Sequence, residues 1–95
     1  MNLKEKSIPK NEILGTLRDI WKRRTKKSGK SLADLLGIHA SNLSAYCSAN
    51  GSRMAPDWCI LYLLDELNCG LIIEPRKIII TSLSKDQKDE INVHF

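Results

Sequence analysis

The sequence predicts a mainly α-helical fold, with a bundle of four to five short helices followed by a short C-terminal β segment. Three observations support this prediction. Apolar residues recur every three or four positions in four stretches between residues 11 and 67, which is the period of an amphipathic helix. Each stretch ends at glycine, asparagine or a polar run, which are common helix ends. From residue 71 to residue 81 the chain is instead rich in β-branched residues, which favour strands.

The first predicted helix covers residues 11–24. The cations at residues 22–24 suit its C-terminus, because the helix dipole is negative there. Polar residues 25–30 are predicted to form a loop. The apolar positions with helical spacing are Ile13, Leu14, Leu17, Ile20 and Trp21.

The next two predicted helices are short. Ser31 is placed to cap the second helix, with Asp34 reaching back to the cap. Gly37 is expected to end this helix, because the chain must turn there through a left-handed conformation. The third helix is predicted over residues 41–48, before a break at residues 50–52.

The fourth predicted helix begins near Pro56, which the first turn of a helix tolerates, and runs to Leu67. Two β-branched runs follow at residues 71–74 and 77–81. We therefore divide the chain into a flexible basic arm, a helical domain, a strand pair and a polar tail that is either a frayed helix or irregular. These segments are residues 1–10, 11–70, 71–83 and 84–95.

The length and composition indicate one small soluble domain. The chain has 95 residues, of which 42% are hydrophobic and 27% charged, and this composition excludes a disordered chain. Acidic residues interrupt the longest apolar stretch, residues 58–67, so we predict no membrane span and no membrane partner. No apolar run follows the N-terminal lysines, so no secretory signal is predicted and a cytoplasmic location is expected.

The positive charge is concentrated near the N-terminus. Residues 1–30 contain ten of the fifteen lysines and arginines and three acidic residues, whereas residues 31–95 contain the other five cations and eight acidic residues. This asymmetry indicates that a polyanion meets one end of the molecule. The alternative is that residues 22–30 are simply a solvated loop, and charge alone does not separate the two interpretations.

The most informative segment is a motif that joins the second and third helices. Large apolar residues at its ends bury the seam between the two helices, Ala33 is small where they cross, and Gly37 permits the sharp turn. Such a unit holds the third helix rigidly outward, as entry into a groove about 12 Å wide requires. The motif core consists of Leu32, Ala33, Leu36, Gly37, Ile38, Leu43 and Tyr46.

This pattern resembles the phage-repressor-like helix-turn-helix family, also called the Cro/repressor or XRE type, over residues 11–69. The resemblance implies a repressor-like bundle that regulates transcription, in particular as a repressor, by binding double-stranded DNA without a cofactor. The alternative is a helical bundle with an ordinary glycine-containing turn. One position departs from the family, which usually has a phosphate-binding glutamine where this chain has Gly29.

The resemblance also implies which side chains meet DNA. Asn42 carries the groups for paired hydrogen bonds to adenine, and an alanine methyl suits the methyl group of thymine. The alternative for Asn42 is a solvated residue near the helix start. The expected base-reading positions are Ala40, Ser41, Asn42, Ser44 and Ala45. The expected phosphate contacts are Lys27, Lys30, Ser31, His39, Ser52 and Arg53. The contact of the missing glutamine is either lost or replaced by Lys27 or Lys30, and the alternative for His39 is a simply exposed residue.

The β-branched runs predict a two-fold dimer. Two strands alone are marginally stable, and Pro75-Arg76 is a poor two-residue hairpin turn, so we expect the strands to join across a dimer axis. A dimer would set two reading helices roughly 34 Å apart on a palindromic site. The alternative is a hairpin within one chain, packed on the last helix. The expected dimer residues are Leu71, Ile72, Ile73, Ile78, Ile79 and Ile80.

The sequence also bears on two other function classes, an enzyme and a protein-interaction module. The chain has three cysteines without a C-x-x-C pair and two distant histidines, so we predict no disulfide framework, no metal site and no enzyme. An antitoxin-type protein of the same fold is the alternative function. In that case residues 84–95 would fold on a partner protein.

Overall fold

The computed structural model has four α-helices followed by a three-stranded antiparallel sheet. It describes residues 8–51, 53–84 and 90–94. The mainly α-helical fold with a C-terminal β segment is therefore as predicted, with four helices in the described residues. The helices are α1 (Lys10–Thr25), α2 (Gly29–Leu36), α3 (Ala40–Tyr46) and α4 (Asp57–Leu67). The strands are β1 (Cys69–Glu74), β2 (Lys77–Ser82) and β3 (Glu90–His94).

The start of α2 differs from the sequence prediction. The helix begins three residues earlier, because Ser28 rather than Ser31 is the N-cap. The Ser28 hydroxyl oxygen accepts a hydrogen bond from the Ser31 backbone N–H at 3.2 Å. The helix ends at Gly37, whose φ of 74° lies in the left-handed region that glycine tolerates best.

One hydrophobic core joins the helices to the sheet. The side chains of α1 and α4 that face each other are fully buried, including Leu17 and Leu63. Ile78 and Ile80 on the central strand are also 0% exposed and belong to the same cluster. The sheet therefore covers one side of the helical layer, and its inner face contributes to the stability of the whole chain.

The sheet corrects two expectations. First, β1 pairs with β2 in the same chain, with Ile72 opposite Ile79, so the strands form the hairpin that was the alternative to pairing across a dimer axis. Second, residues 90–94 of the expected tail form β3, which pairs with the other edge of β2 and places Val93 opposite Ile78. The third strand explains the first correction, because three strands with a buried face are stable within one chain.

The expected basic arm and the expected tail are described only in part. Residues 1–7 of the expected basic arm, and residues 85–89 and 95 of the expected tail, lie outside the described residues. Pro9 precedes α1, and Lys10, placed in the arm by the sequence, is already helical. Among the helices that the structure describes, none is long and apolar enough to cross a membrane.

Candidate nucleic-acid interface

The α2-turn-α3 unit has a buried inner seam. Leu32, Ala33 and Leu43 are at most 2% exposed, and Leu36 is also buried. Ile38 and Tyr46 are half-buried against the same core. The turn is closed by the Ile38 backbone N–H, which donates to the Ala33 carbonyl oxygen at 3.0 Å. This seam fixes α3 to α2 and sets which face of α3 points outward.

The outward face of α3 consists of small and polar side chains. Leu43 points into the core, and residues two positions away on either side of it are rotated by about 200°, onto the opposite face. Ala40, Ser41 and Ser44 are exposed, and Asn42 and Ala45 are half-buried. All five expected base-reading positions thus lie on or beside the outer surface of α3, and none of them belongs to the core.

Asn11, at the start of α1, holds the chain that follows α3. Its Nδ2 donates to the carbonyl oxygens of Ser48 at 2.8 Å and Arg53 at 2.7 Å, with a longer contact of 3.4 Å to the Ala45 carbonyl. Its Oδ1 accepts from the Ala55 backbone N–H at 2.6 Å. One amide group therefore connects α1, the end of α3 and the segment that leads to α4.

This role of Asn11 is not predictable from the local sequence. The residue was only the first position of a predicted helix, and its partners lie 34 to 44 residues away in the sequence. A related constraint occurs at Gly51, where a Cβ atom would lie 2.8 Å from the Ala45 carbonyl oxygen. The chain after α3 therefore packs backbone against backbone, and local sequence patterns do not report such contacts.

Arg53 and Asn42 are in direct contact. The Nη1 atom of Arg53 donates to the Oδ1 atom of Asn42 at 2.9 Å, and the Arg53 side chain is exposed. Arg53 was expected to contact phosphate and Asn42 to contact a base. The structure joins the two residues into one polar unit at the edge of the α3 surface.

Four of the other expected phosphate contacts lie at helix ends. Lys27 and Lys30 are exposed beside the start of α2, and Lys27 shares a shallow depression with Ser31. The Ser31 hydroxyl lies 3.2 Å from the Ser28 hydroxyl, within the cap of α2. His39 is exposed and precedes α3 without a side-chain cap hydrogen bond. Ser52 lies outside the described residues.

The cations at residues 22–30 differ in their exposure to solvent. Arg24 turns toward the protein, where its Nη1 atom donates to the Leu67 carbonyl oxygen at 2.5 Å and links α1 to the end of α4. Elsewhere on α1, Lys10 forms an ion pair with Asp57 at 2.8 Å. Within residues 22–30, all of which the structure describes, the exposed cations are Lys22, Arg23, Lys26, Lys27 and Lys30.

Two of the three cysteines have thiol pKa values that are shifted by burial. Burial raises the pKa of the Cys47 and Cys59 thiols above its ordinary value, and at Cys47 the nearby Arg18 partly opposes this effect. Both thiols are therefore neutral near pH 7, and a neutral thiol is a poor nucleophile and metal ligand. Within the described parts of the chain, no three histidine, cysteine or acidic side chains cluster as a metal site would require.

The geometry thus brings together a small polar helix face, the Asn42–Arg53 unit and exposed lysines at the start of α2. Arg24 lies outside this set, because it bonds to the end of α4, whereas Asn11 belongs to it as a positioning residue. Comparison of the chain with models of known protein families, with curated proteins and with solved structures finds no significant match.

Proposed function

We propose that the protein is a sequence-specific, double-stranded DNA-binding transcriptional regulator with a repressor-like helix-turn-helix fold. In this proposal α3 enters the major groove. The observation that carries it is the exposed outer face of α3, where Ser41 and Ser44 project from a helix whose opposite side is buried through Leu43. Short side chains suit this task, because they let the helix backbone come close to the base edges.

The flanking cations supply the affinity in this proposal. Lys27, Lys30 and Arg53 are exposed and suit contacts to phosphate, which position a protein without reading sequence. Neutralising phosphates releases counterions, so the logarithm of affinity is expected to fall linearly with the logarithm of salt concentration. The few groups on α3 that reach base edges would supply selectivity, with DNA shape adding to it.

The test is selection of bound duplexes from a random DNA pool, followed by affinity measurements over a salt series. We expect a defined consensus and a steep salt dependence. Ser41→Glu would place a carboxylate toward the phosphates and lower affinity at least about tenfold, because like charges across an interface are costly. Asn92→Glu is the matched control, since it adds the same charge at an exposed position on β3. Absence of duplex binding in low salt, or equal losses in the two variants, would refute the proposal.

We also propose that the regulator acts as a homodimer. In the sheet order β1-β2-β3, β1 is an outer strand, and its Ile72 and Ile73 side chains are 48% and 64% exposed. Ile73 also lines an apolar hollow with Ile8 and Leu61. A second copy that paired along β1 would cover these side chains and present two α3 helices to a palindromic site. Ile78 and Ile80, also expected at the dimer contact, are buried within the single chain instead.

A further inference from the structure

We propose that the outer face of α4 is a docking surface for a basic amphipathic helix of another protein. Two aromatic and two acidic side chains form this surface, which we call the acidic-aromatic face: Trp58, Tyr62, Asp65 and Glu66. The inference goes beyond the proposed DNA-binding function, because it concerns a helix that packs chiefly on α1 and β1 rather than on α3.

The helical period divides α4 into a buried half and an exposed half. Leu67, on the buried half, is 4% exposed and belongs to the core. Counted around the helix axis, Trp58, Tyr62 and Asp65 lie roughly 140° to 200° away from Leu67. All three are exposed. The acidic-aromatic face is therefore directed away from the core by the same period that buries Leu67.

The aromatic side chains of this face are exposed side by side. Trp58 is 50% exposed and Tyr62 is 39% exposed, and residues four apart on a helix are neighbours. Single exposed apolar residues are ordinary, but adjacent aromatic rings are typical of contact surfaces, where such rings contribute much of the binding energy. Leu61 is also exposed, but it lines the hollow beside Ile73 that the proposed dimer covers. Trp58 and Tyr62 lie about 60° and 100° further around the helix.

The charge of α4 determines which partner chemistry fits. Its charged residues are all acidic, and Asp57 pairs with Lys10 at 2.8 Å. Asp65 and Glu66 are exposed in the last turn, where a carboxylate is unfavourable because the helix C-terminus is the negative end of the dipole. The helix therefore keeps two carboxylates beside its exposed aromatic rings at a local cost, and a cationic partner makes them favourable.

The same charge disfavours other occupants. DNA phosphates and anionic lipid headgroups would face Asp65 and Glu66 as like charges. A two-fold contact between two copies brings the same patch together, so it would also set these carboxylates against each other. The cationic residues 22–30 of a second copy contain no large apolar side chain that could cover Trp58.

A basic amphipathic helix supplies the required groups. Side chains three and four apart form ridges on α4, and a second helix packs against such ridges with its own apolar residues at the same spacing. Its lysines and arginines would pair with Asp65 and Glu66. A cation over the face of Trp58 is attracted by the ring, and the long stems of lysine and arginine cover apolar surface.

The experiment begins with selection on the full-length protein from a displayed library of random peptides of about 18 residues, which is five helical turns. The most enriched peptide is then titrated by calorimetry against the wild-type protein and three variants. The variants are Trp58→Ala, Tyr62→Ala and the double variant Asp65→Asn/Glu66→Gln. Leu83→Ala and Glu90→Gln are the controls, since they remove an exposed apolar side chain and an exposed carboxylate outside α4.

We expect the enriched peptides to have a net positive charge and apolar residues three and four positions apart. Trp58→Ala and Tyr62→Ala should each lower affinity at least about tenfold, because aromatic side chains dominate such contacts. The double variant should lower affinity about tenfold and flatten its salt dependence. Its unfolding temperature should stay equal or rise, since the unfavourable charges at the helix end are removed. A purely structural role of the carboxylates would not give this combination, and both controls should bind like the wild-type protein.

Other outcomes would overturn the inference. These are no enrichment above an uncoated support, enriched peptides that are acidic or lack the helical period, and equal affinity for the wild-type protein and Trp58→Ala. Loss of self-association in Trp58→Ala would assign the face to a second copy instead. The peptide is bound in the absence of DNA, so a failure of duplex selection would refute the proposed function and leave this inference standing.

Discussion

The outer face of α3 and the free edge of the sheet are both exposed, but their chemistry is opposite. On α3 the exposed side chains are alanine and serine, beside the Asn42–Arg53 hydrogen bond. On β1 the exposed side chains include Ile72 and Ile73, and Ile73 lines an apolar hollow with Leu61 of α4, which is 64% exposed. The first surface suits a polar, charged partner that approaches closely, and the second suits an apolar partner. This difference is the basis of the two proposed contacts, with DNA through α3 and with a second copy through β1.

The largest expected effect concerns the support of the α3 surface. Asn11→Asp would place a carboxylate against the Ser48 and Arg53 carbonyl oxygens, which now accept hydrogen bonds from the amide. We expect the free energy of unfolding to fall by about 2 kcal/mol, because these hydrogen bonds are lost and acceptors face each other. The favourable effect of a carboxylate at a helix N-terminus, about 0.5 kcal/mol, does not compensate.

Urea unfolding of the two proteins measures this difference. Asn92→Asp is the matched control, because the same chemical change at an exposed position of β3 should alter stability little. If Asn11→Asp and Asn92→Asp were equally stable, the proposed anchoring of the chain after α3 would be incorrect. The α3 surface would then owe its position to the seam with α2 alone.

The second prediction concerns the sheet edge. Ile73→Lys would place a charge on the exposed edge strand and is expected to convert a dimer to a monomer, since a charged side chain blocks edge pairing. The fold should remain, because Ile73 is 64% exposed in the single chain. Sedimentation velocity at several protein concentrations gives the mass. Asn92→Lys, which places lysine on the opposite edge strand, should leave the dimer intact; a monomeric wild-type protein would contradict the dimer proposal.

The two regions also differ in how far the sequence predicts them. The helices are local structures, so the period of apolar residues and the turn at Gly37 identified α1 to α4 to within a few residues. The sheet depends on pairing between distant segments, and β3 was not predicted because residues 84–95 are mostly polar. Yet Ile91 and Val93 alternate with polar residues and face the core side of the sheet, where they pair with Ile80 and Ile78. That period of two was the available signal.

The candidate site shows the same division. The exposed positions on α3 follow from the helical period around Leu43, and the sequence was sufficient to propose them. The contacts of Asn11 and the contact between Arg53 and Asn42 join residues that are 11 to 44 positions apart. A single sequence contains no local pattern for these contacts, because they depend on how the segment after α3 folds back on α1.

The smallest expected effect tests the corrected start of α2. Ser28→Ala removes the hydroxyl oxygen that accepts from the Ser31 backbone N–H, and loss of an N-cap costs about 1 kcal/mol. Ser31→Ala removes a hydroxyl that only neighbours the cap, so its effect on the free energy of unfolding should be a few tenths of a kcal/mol. Thermal or urea unfolding of the two variants ranks them. A larger loss for Ser31→Ala would mean that α2 begins at the later serine, and Gly29 and Lys30 would then belong to the loop rather than to the helix that supports α3.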